Sequence, residues 1–455
     1  MVIVVLIADC FMDDMKFCIE NFGCQMNEHD MDKMASLLAG EGMQRVEDAK
    51  KADIVIVNTC CIREKAEQKF YSLMGRLRDA KEKKGTIIGV TGCIAQMEKE
   101  DILQRLPFID FSLGPSNIHK IKKAIDQAMR DEPLLDFSEN GCNESLLIRP
   151  GYGQDSVKAY VTIMKGCNNF CTYCVVPYVR GRESSRDSRD ILQEVAALGG
   201  RGIKEVTLLG QNVNSYNNAR DDISFPELLE KINAIDGIER IRFVTSHPRD
   251  LSPELIGCFG RLEKLCEHIH LPFQSGSDRI LKLMNRGYSA AEYIAKVEAL
   301  RDRRSGIAVT ADCIVGFPGE DEEDFGKTMD LIERIQFDGI FSFAFSPRKL
   351  TAASTMPGKV PPAKAFERLH RLQKLQREIT LSRNKAMEGR TAEVLTEGVS
   401  KNSNEELTGR TRTNKIVNFR GPLAMMNRIV EVAIVKGYAN SLKGEGAKLK
   451  EVQAC

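Results

Sequence analysis

The sequence predicts a multidomain α/β protein with two strand-helix domains and a small β-barrel at its carboxyl end. Three observations predict this class. Strand-type and helix-type segments alternate from residue 15 to residue 387 of the 455-residue chain. A turn-rich stretch without periodicity interrupts the alternation at 136–155. From residue 388 to residue 452, helix-type segments give way to short β-type runs with glycine and asparagine turns.

Residues 15–135 are predicted to form a flavodoxin-like α/β domain. Strand-type runs such as "DIVIVN" are almost wholly apolar, which is typical of parallel strands covered by helices. Residues 1–14 are interpreted as an extension, because their apolar run lacks a basic region, a cleavage site and the length to cross a bilayer. We therefore expect a cytoplasmic protein without membrane contact.

After the predicted linker at 136–155, residues 156–387 are expected to form a complete or partial (β/α) barrel with six strand-helix units. Its strand-type runs are "AYVTIMKG", "EVTLLGQ", "RIRFVTS", "HIHLPFQ", "VTADCIVGFPG" and "GIFSFAFS". Barrels of this kind carry their chemistry at the carboxyl ends of the strands. Residues 388–452 are predicted to form a small antiparallel β-barrel.

Charge and cysteine content narrow the function classes. The formal net charge is +1, so contact with nucleic acid would depend on local basic patches and not on a bulk basic field. The chain has 14 cysteines. Disulfides are rare in the cytoplasm, where cysteines more often bind metal or take part in chemistry. This count favours a thiolate-ligated centre.

Three cysteines lie close together directly after the first predicted barrel strand: Cys167, Cys171 and Cys174 in "GCNNFCTYC". Thiolates at these intervals favour an iron-sulfur, zinc or copper(I) centre. Structural zinc sites are usually closed by four ligands, whereas this loop supplies three and no nearby histidine. Three ligands around a four-iron cube would leave one iron open to a small molecule, and zinc remains the alternative.

This C-x3-C-x2-C spacing after a first barrel strand resembles the radical S-adenosylmethionine (SAM) superfamily. The resemblance implies a partial (β/α)6 radical SAM barrel and a 4Fe-4S cluster on the three cysteines, with SAM on the open iron. It also implies four residues near SAM, which are Tyr173 beside the adenine and Gly210, Gln211 and Asn212 beside its methionine end. The alternative for Gly210 is a tight turn without a ligand.

Three further cysteines, Cys24, Cys60 and Cys93, are spread through the first domain, and each follows an apolar strand. In a parallel sheet these positions share the carboxyl edge, where open α/β sheets bind ligands. The repeated position favours a second cluster over three buried free cysteines. Cys61 would point the other way on an extended segment and is interpreted as a bystander.

Two cysteine triads followed by a β-rich tail resemble the methylthiotransferases. The stretches "FGCQMNEHDMDKM", "NTCCIREKAEQK", "TGCIAQ", "GCNNFCTYCVVPYVRGRESSR" and "YANSLKGE" are most similar to the MiaB-type branch, which acts on tRNA. The resemblance implies an auxiliary 4Fe-4S cluster on Cys24, Cys60 and Cys93 and a TRAM domain in the tail. One stretch departs from the family: "FSPRKLTAAS" stands where "SPRPGTPA" is usual.

The function that this resemblance implies is transfer of a methylthio group to C2 of N6-isopentenyl-adenosine at position 37 of tRNA. One SAM would be the methyl donor and a second the source of a 5′-deoxyadenosyl radical. Implied partners are the tRNA anticodon loop, an electron donor such as flavodoxin or ferredoxin, and a sulfur donor. Alternatives are threonylcarbamoyl-adenosine in tRNA or ribosomal protein S12 as substrate, or a non-enzymatic metal-cluster RNA-binding protein.

Basic residues in two places are candidates for substrate contact. In the tail, we expect RNA to contact Arg410, Arg412, Lys415, Phe419 and Arg420, with the arginines and the lysine on phosphates and the aromatic ring on a base. A solvated basic hairpin is the alternative. After the cysteine triplet, Arg180, Arg182 and Arg186 are candidates for contact with substrate or SAM, or for surface ion pairs.

Overall fold

The computed structural model describes residues 15–61, 64–138, 156–217, 222–401 and 403–449. The predicted extension and most of the predicted linker lie outside these ranges. The chain divides into two compact units. Of the described residues, the first unit contains those up to residue 138 with the pieces Lys165–Asn168 and Cys174–Arg186, and the second unit contains the others.

The first unit is built on a parallel sheet of six strands. They are β1 (Lys16–Phe22), β2 (Gln44–Arg45), β3 (Ile54–Thr59), β4 (Ile87–Gly92), β5 (Phe111–Leu113) and β6 (Leu134–Asp136). The helices are α1 (Gln25–Gly40), α2 (Glu64–Lys84), α3 (Cys93–Glu98), α4 (Asp101–Arg105) and α5 (Ile121–Ala128). The strand order is β2-β1-β3-β4-β5-β6. Its first five strands follow the flavodoxin order, which confirms the predicted class.

The central strands are buried on both faces because their sequences are apolar at nearly every position. In β3, Val55 and Val57 belong to the apolar cluster on one face, whereas Ile54 and Ile56 belong to the cluster on the other. This alternation is the period of two that a pleated strand imposes. The sheet therefore needs helices on both sides, and its strand ends are the natural places for polar and ligating groups.

A short segment after the cysteine triplet also belongs to the first unit. It contains α6 (Val176–Arg180) and the two-residue strand β9 (Ser184–Ser185). Val175 and Val179 are buried in the same apolar cluster as Cys93 and Ile94. The residues that follow the triplet are thereby brought to the carboxyl edge of the N-terminal sheet.

The second unit contains a barrel of six strand-helix units. Its strands are β7 (Lys158–Thr162), β10 (Glu205–Leu209), β11 (Arg240–Phe243), β12 (His268–His270), β13 (Ala308–Val315) and β14 (Gly339–Ala344), and β8 (Met164–Lys165) follows β7. Its helices are α7 (Ser188–Gly200), α8 (Phe225–Asn233), α9 (Pro253–Arg261), α10 (Asp278–Leu283), α11 (Ala290–Arg303), α12 (Glu322–Ile335) and α13 (Pro362–Lys385). None of the described helices combines the length and apolar character that a bilayer crossing needs.

The barrel is partial, as predicted. Its strands form two parallel sheets, β7-β10-β11 and β12-β13-β14, which a parallel bridge between Ile241 and Leu265 joins edge to edge. Within the described residues, the outer strands β7 and β14 do not pair with each other. The arc packs its outer face on the helices through one large apolar cluster, so its inner face is left for ligands.

The stretch "FSPRKLTAAS" forms a turn although Lys349, Leu350 and Ala352 stand where the family pattern has proline, glycine and proline. Leu350 stands where the family pattern has glycine, and its φ is 71°, in the left-handed region. The backbone N–H of Thr351 donates to the carbonyl of Arg348 at 3.3 Å. A leucine in this conformation costs about 1–2 kcal/mol relative to glycine.

The tail of the second unit is a closed five-stranded barrel. Its strands are β15 (Thr391–Ser400), β16 (Ser403–Thr411), β17 (Ile416–Arg420), β18 (Ile429–Gly437) and β19 (Leu442–Leu449), closed in the order β15-β16-β17-β19-β18. The pairs are antiparallel except β17 with β19, which is parallel. The small barrel is confirmed, and this one pair departs from a purely antiparallel arrangement.

Two buried arginines of β11 join the six-stranded barrel to the tail. Arg240 donates to the carboxylate of Glu393 at 2.8 Å and to the backbone carbonyl of Arg410 at 2.9 Å. Arg242 donates to the backbone carbonyl of Thr411 at 2.8 Å. Arg240 is 0% exposed. A buried guanidinium needs such acceptors, and for the two arginines of β11 the tail supplies them from β15 and from the end of β16.

Candidate active site

The three cysteines predicted to hold the auxiliary cluster, Cys24, Cys60 and Cys93, lie at one edge of the N-terminal sheet. The last residue of β3, Thr59, pairs in register with the last residue of β1 and with the last residue of β4. The three strands therefore end level. Cys60 and Cys93 are the next residues of β3 and β4, and Cys24 is the second residue after β1. The structure brings the predicted triad together in this way.

Asn27 holds the Cys24 loop against the end of β3. The Cys24 thiol donates to Asn27 Oδ1 at 3.3 Å. Asn27 Nδ2 donates to Asn58 Oδ1 at 3.2 Å and to the carbonyl of Thr59 at 3.0 Å. Asn27 is fully buried. Asn27 was not among the predicted site residues, although it stands in the stretch "GCQMNE" beside Cys24.

A glycine sets the direction of Cys93. Gly92 has a φ of 94°, and a Cβ at this position would lie 2.4 Å from the carbonyl oxygen of Thr59. Any side chain would therefore both clash with β3 and adopt an unfavourable backbone conformation. Only glycine lets β4 end this close to β3 and continue at once into α3 with Cys93 as its first residue.

The thiols at this edge contact each other. A hydrogen bond with Cys60 lowers the pKa of Cys24 to about 6 against the opposing effect of burial, and Arg180 adds to the lowering. A hydrogen bond with Cys61 lowers the pKa of Cys93 to about 7. Cys61 thus lies beside Cys93, and the expectation that it turns away from the triad is wrong. Its own pKa is raised by this bond and by burial.

Arg180 places a buried positive charge beside these thiols. Its side chain is 7% exposed and pairs with Asp30 at 3.3 Å. Burial alone would lower its pKa, but the facing Cys93, Asp30 and Cys24 raise it well above the ordinary value. From the sequence, the expected partner of Arg180 was substrate, SAM or a carboxylate in a surface ion pair. The structure instead directs Arg180 to the thiols of the first unit.

The donor set fits an iron-sulfur cluster. Within the ranges that the structure describes, no three ligand side chains are close enough to hold one metal ion. A four-iron cluster makes a different demand, because each of its thiolates ligates a different iron. Three thiols at one edge, two of them with lowered pKa values, and a buried guanidinium are suited to such a cluster and its negative charge.

The triplet loop begins with a glycine that packing requires. Gly166 has a φ of 73°, and a Cβ here would lie 2.1 Å from the carbonyl oxygen of Arg182. Cys167 and Cys171 are buried and Cys174 is partly buried. Cys167 and Cys174 belong to the first unit and Cys171 to the second. All three stand on the loop after β7 and β8, as the sequence predicted.

Arg286 donates a hydrogen bond to Cys171, and further hydrogen bonds hold its guanidinium group in place. Its Nη1 donates to the sulfur of Cys171 at 3.4 Å and to the hydroxyl of Tyr173 at 3.3 Å. Its Nη2 donates to the carbonyl of Pro272 at 2.9 Å, and its Nε to the hydroxyl of Tyr288 at 3.0 Å. Arg286 is 4% exposed. Arg286 was not among the residues predicted from the sequence, in which it stands in "MNRGY" directly after α10.

The predicted SAM residues follow β10. A Cβ on Gly210 would lie 2.4 Å from Met164 Cγ, so close packing by itself requires glycine there. Asn212 donates to Asp250 Oδ2 at 2.6 Å, while its own Oδ1 is buried without a partner among the described residues. Gln211 is partly buried. Of this group, Asn212 therefore offers a polar atom that a ligand could satisfy.

His247, in the loop after β11, supplies a second buried polar atom. Burial first, then the charges of Arg286, Arg249 and Lys296, lower its pKa to about 2, so the ring is neutral. Its Nδ1 accepts from the backbone N–H of Arg249 at 3.2 Å, which places the ring hydrogen on Nε2. Among the described residues, this Nε2 has no partner. A donor here and an acceptor on Asn212 fit the carboxylate and amino groups of SAM.

Comparison with known families matches all three parts of the chain. Residues 16–114 match the family described as "Uncharacterized protein family UPF0004", residues 161–332 the radical SAM superfamily and residues 385–446 the TRAM domain. Two relatives are each named tRNA-2-methylthio-N(6)-dimethylallyladenosine synthase. The relative from Syntrophus aciditrophicus is 51% identical over 95% of each chain, and that from Geobacter metallireducens 50% over 94% of this chain and 97% of its own.

The chain belongs to the MiaB-type methylthiotransferase family. It is an enzyme of the radical SAM class that uses SAM and iron-sulfur clusters. Among solved structures, the radical SAM methyltransferase TsrM from Kitasatospora setae, with cobalamin and a [4Fe-4S] cluster bound, has a TM-score of 0.56 at 13% identity. The match covers 75% of this chain and 77% of TsrM, and it shows the shared fold.

In this methylthiotransferase, two of the five predicted RNA contacts are used for internal ion pairs. Arg412 donates to the carboxylate of Glu267 at 2.8 Å and to the carbonyl of Leu265 at 2.8 Å. Lys415 lies 2.8 Å from the carboxylate of Asp338. These acceptors belong to the six-stranded barrel and its connections, so both side chains hold the TRAM barrel in place. The expectation that they contact phosphate is corrected accordingly.

The other three predicted RNA contacts divide by exposure. Phe419 is 0% exposed in the core of the TRAM barrel, which leaves no ring face for a base and corrects that expectation. Arg410 is partly exposed and lies 3.5 Å from Glu397. The side chain of Arg420 is 77% exposed, with Glu405 at 3.4 Å. Arg420 is thus the member of the set that a phosphate could reach most easily.

Proposed function

We propose that this methylthiotransferase transfers a methylthio group to C2 of N6-isopentenyl-adenosine at position 37 of tRNA. The observation that carries the proposal is the level end of β1, β3 and β4, which collects Cys24, Cys60 and Cys93 at one edge. A radical SAM enzyme that only generates a radical has no need of this second thiol set. The identity of the substrate is inferred from the relatives, which are named as synthases of this nucleoside.

The residues of the chain divide the chemical tasks. Cys167, Cys171 and Cys174 would hold the cluster that binds SAM, and Cys24, Cys60 and Cys93 would hold the auxiliary cluster. When bound, the clusters and two molecules of SAM would supply an electron, the sulfur, its methyl group and a 5′-deoxyadenosyl radical that takes up the C2 hydrogen as 5′-deoxyadenosine, so that a C–S bond replaces the C2–H bond. Neither acid-base nor nucleophilic catalysis by a side chain could replace this hydrogen directly.

Side chains of the second unit would bind and orient SAM. The Nε2–H of His247 and Oδ1 of Asn212 are buried polar atoms after neighbouring strands, and they would pair with the charged groups of its methionine end. Tyr173 would pack beside the adenine, where its hydroxyl is already held by Arg286. Gly210 and Gln211 would line the same pocket. Together these residues would fix the geometry of bound SAM and exclude water from it.

The same proposal includes the partners and the domain limits. We infer a single-stranded anticodon loop as the RNA element, because the target base must leave its stack to be reached. An electron donor such as flavodoxin or ferredoxin, a sulfur donor and a cytoplasmic location complete the proposal. The domains would be 15–135, 156–387 and 388–452, with a linker at 136–155.

The decisive experiment is nucleoside mass spectrometry of tRNA from a host that lacks its own enzyme, with and without this chain. We expect 2-methylthio-N6-isopentenyl-adenosine to appear only when the chain is present. Appearance of methylthiolated threonylcarbamoyl-adenosine, or of methylthiolated ribosomal protein S12, without this nucleoside would contradict the substrate assignment. Anaerobic reconstitution should yield roughly eight irons per chain from two four-iron clusters.

Cysteine variants test the assignment of the two sites. We expect Cys171→Ala to abolish reductive cleavage of SAM, and Cys60→Ala to retain cleavage but lose the methylthiolated nucleoside. The iron content of Cys60→Ala should fall by about half, because one of two four-iron clusters is lost. The matched control is Cys61→Ala, a buried neighbouring thiol, which should keep its iron content. Equal iron loss in both variants would contradict the choice of Cys60 as the ligand.

A further inference from the structure

Two phenylalanines of β14 are exposed although they stand in the middle of a barrel strand. Phe341 is 56% exposed and Phe343 is 39% exposed. In β14 their neighbour Ile340 packs against the apolar cluster beneath the helices. Two large aromatic rings left open on the same face of a strand are unusual, because burying each ring would be favourable.

The register of the sheet shows that this face is the interior of the barrel. In the parallel pairing of β13 with β14, Asp312 is opposite Phe341 and Ile314 is opposite Phe343. The alternate residues of β13, including Ala311, are fully buried against the helices. Paired residues of parallel strands point to the same side. Both phenylalanines therefore face inward, away from the helices.

Phe341 and Phe343 form an aromatic wall on the inner face of β14. Polar groups border one end of this aromatic wall. His270 lies 3.4 Å from the carboxylate of Asp312, and its Nδ1 lies 3.0 Å from the hydroxyl of Thr310. The rings of His270 and Phe341 meet edge to face with centroids 6.0 Å apart. The three polar side chains satisfy one another, so the open surface next to them is the aromatic one.

The other end of the wall continues to the triplet loop. Ile314, Phe345 and Tyr173 pack against one small apolar cluster that also contains Met284. Tyr173 is the residue between the last two cysteines of the triplet. A ligand that lay on the wall would therefore reach from the inside of the barrel toward the place where SAM is proposed to bind.

We propose that Phe341 and Phe343 form the binding site for the isopentenyl group of the target nucleoside. This inference rests on the proposed function, which supplies a substrate with a branched five-carbon chain on N6 of the base. The group carries no hydrogen-bonding atom, so its recognition depends on apolar contact area. Two partly exposed rings on the inner face of β14 offer that area, and the polar border beyond Phe341 limits how far the chain can extend.

The test is equilibrium binding of two anticodon stem-loops, one with N6-isopentenyl-adenosine and one with adenosine at position 37, to the reconstituted enzyme with SAM. We expect the native enzyme to bind the isopentenylated loop roughly a hundredfold more tightly, since even one well-buried methylene is worth about tenfold or more. In Phe341→Ala and Phe343→Ala, the ratio of the two affinities should fall at least about tenfold.

The matched control is Phe366→Ala, which removes a phenylalanine of similar exposure, 53%, from helix α13. Its affinity ratio should equal that of the native enzyme. Phe341→Leu, which keeps an apolar side chain, should retain part of the preference, and iron content and thermal midpoint report whether each variant has folded. An unchanged ratio in both alanine variants, or no preference in the native enzyme, would overturn the inference.

The experiment separates this inference from the proposed function. Binding preference is measured without turnover, whereas the function is judged by the appearance of the methylthiolated nucleoside. A native enzyme that prefers the isopentenylated loop but forms no product would support the aromatic wall and contradict the function. Product formation with an unchanged affinity ratio in Phe341→Ala and Phe343→Ala would support the proposed function and contradict the role of the two phenylalanines.

Discussion

Arg180 and Arg286 place buried positive charges beside the two groups of cysteines. Arg180 faces Cys24 and Cys93 in the first unit, and Arg286 donates to the sulfur of Cys171 in the second. Further ion-pair or hydrogen-bond partners hold both guanidinium groups in fixed orientations. N–H donors and positive charge next to ligating thiolates stabilise the more negative state of a cluster. These side chains are suited to adjusting reduction potentials as well as to packing.

Replacement of Arg286 by Met should lower the reduction potential of the cluster on Cys167, Cys171 and Cys174. In the native enzyme, the N–H···S bond and the positive charge of Arg286 both stabilise the reduced state of the cluster, so their loss makes reduction less favourable. A tenfold change in a one-electron equilibrium corresponds to about 60 mV. A potentiometric titration followed by electron paramagnetic resonance measures the shift. Tyr288→Phe, which removes only the hydroxyl facing Nε, should shift the potential less. A native potential in Arg286→Met would contradict this role.

The structural element behind the auxiliary site is a set of parallel strands that end level. Adjacent strands β1, β3 and β4 share a register up to their last residues, so chain positions far apart in sequence reach one edge. Gly92 makes this possible because it has no side chain: a Cβ at this position would lie only 2.4 Å from the carbonyl oxygen of Thr59. The thiol geometry is therefore a property of the sheet as much as of the cysteines.

Gly92→Ala should destabilise the N-terminal domain by about 1–3 kcal/mol, the usual cost of a strained left-handed or clashing backbone position. Thermal and urea unfolding measure the change. The matched control is Gly75→Ala in the middle of α2, where an added Cβ meets nothing within 4 Å. That change should stabilise the helix by about 0.5–1 kcal/mol. Equal effects of the two substitutions would show that the close approach at Gly92 is unimportant.

Local patterns predicted the strands and the cysteines at their ends, because both are written in adjacent residues. Two features were not predictable in this way. Cys61 was expected to alternate with Cys60, but β3 ends at Thr59, so the period of two no longer applies to the next residues. The segment Cys174–Arg186 joins the N-terminal sheet through Val175 and Val179, and no pattern within so short a segment encodes a distant partner.

At the scale of the molecule, the basic stretch of the tail is a docking element. Arg412 pairs with Glu267, 145 residues away in the chain, and Lys415 pairs with Asp338. From the sequence, RNA contact was expected and a solvated basic hairpin was the alternative, since RNA is a reasonable partner for unpaired basic side chains. Arg412 and Lys415 fit neither expectation, because both are paired with carboxylates. The acidic partners come from separate barrel loops, and only the tertiary structure shows that they neutralise these charges.

Arg412→Ala and Arg420→Ala should therefore affect different properties of the protein: the first its stability, the second its binding of tRNA. Loss of the largely buried Arg412 leaves Glu267 with one less partner and should destabilise the second unit by about 2–4 kcal/mol. Loss of the exposed Arg420 should change stability by less than about 0.5 kcal/mol. If Arg420 contacts a phosphate, its removal should weaken binding of all tRNAs alike and reduce the salt slope by about one. Unfolding and salt-dependent tRNA binding measure both; the reverse pattern would contradict the docking role.

The contact between β11 and β16 has a consequence for how the tail can be inherited. Arg240 and Arg242 are buried, and their acceptors include backbone carbonyls of Arg410, Thr411 and Arg412. Backbone acceptors are offered by any sequence that folds the same way, whereas a chain cut after Lys385 would leave two guanidinium groups without them, at a cost of several kcal/mol. Changes of side chain at residues 410–412 would keep these three backbone acceptors, whereas loss of the carboxylate of Glu393 would remove a side-chain acceptor of Arg240, so removal of the whole tail should destabilise the six-stranded barrel more than substitution of Glu393 alone.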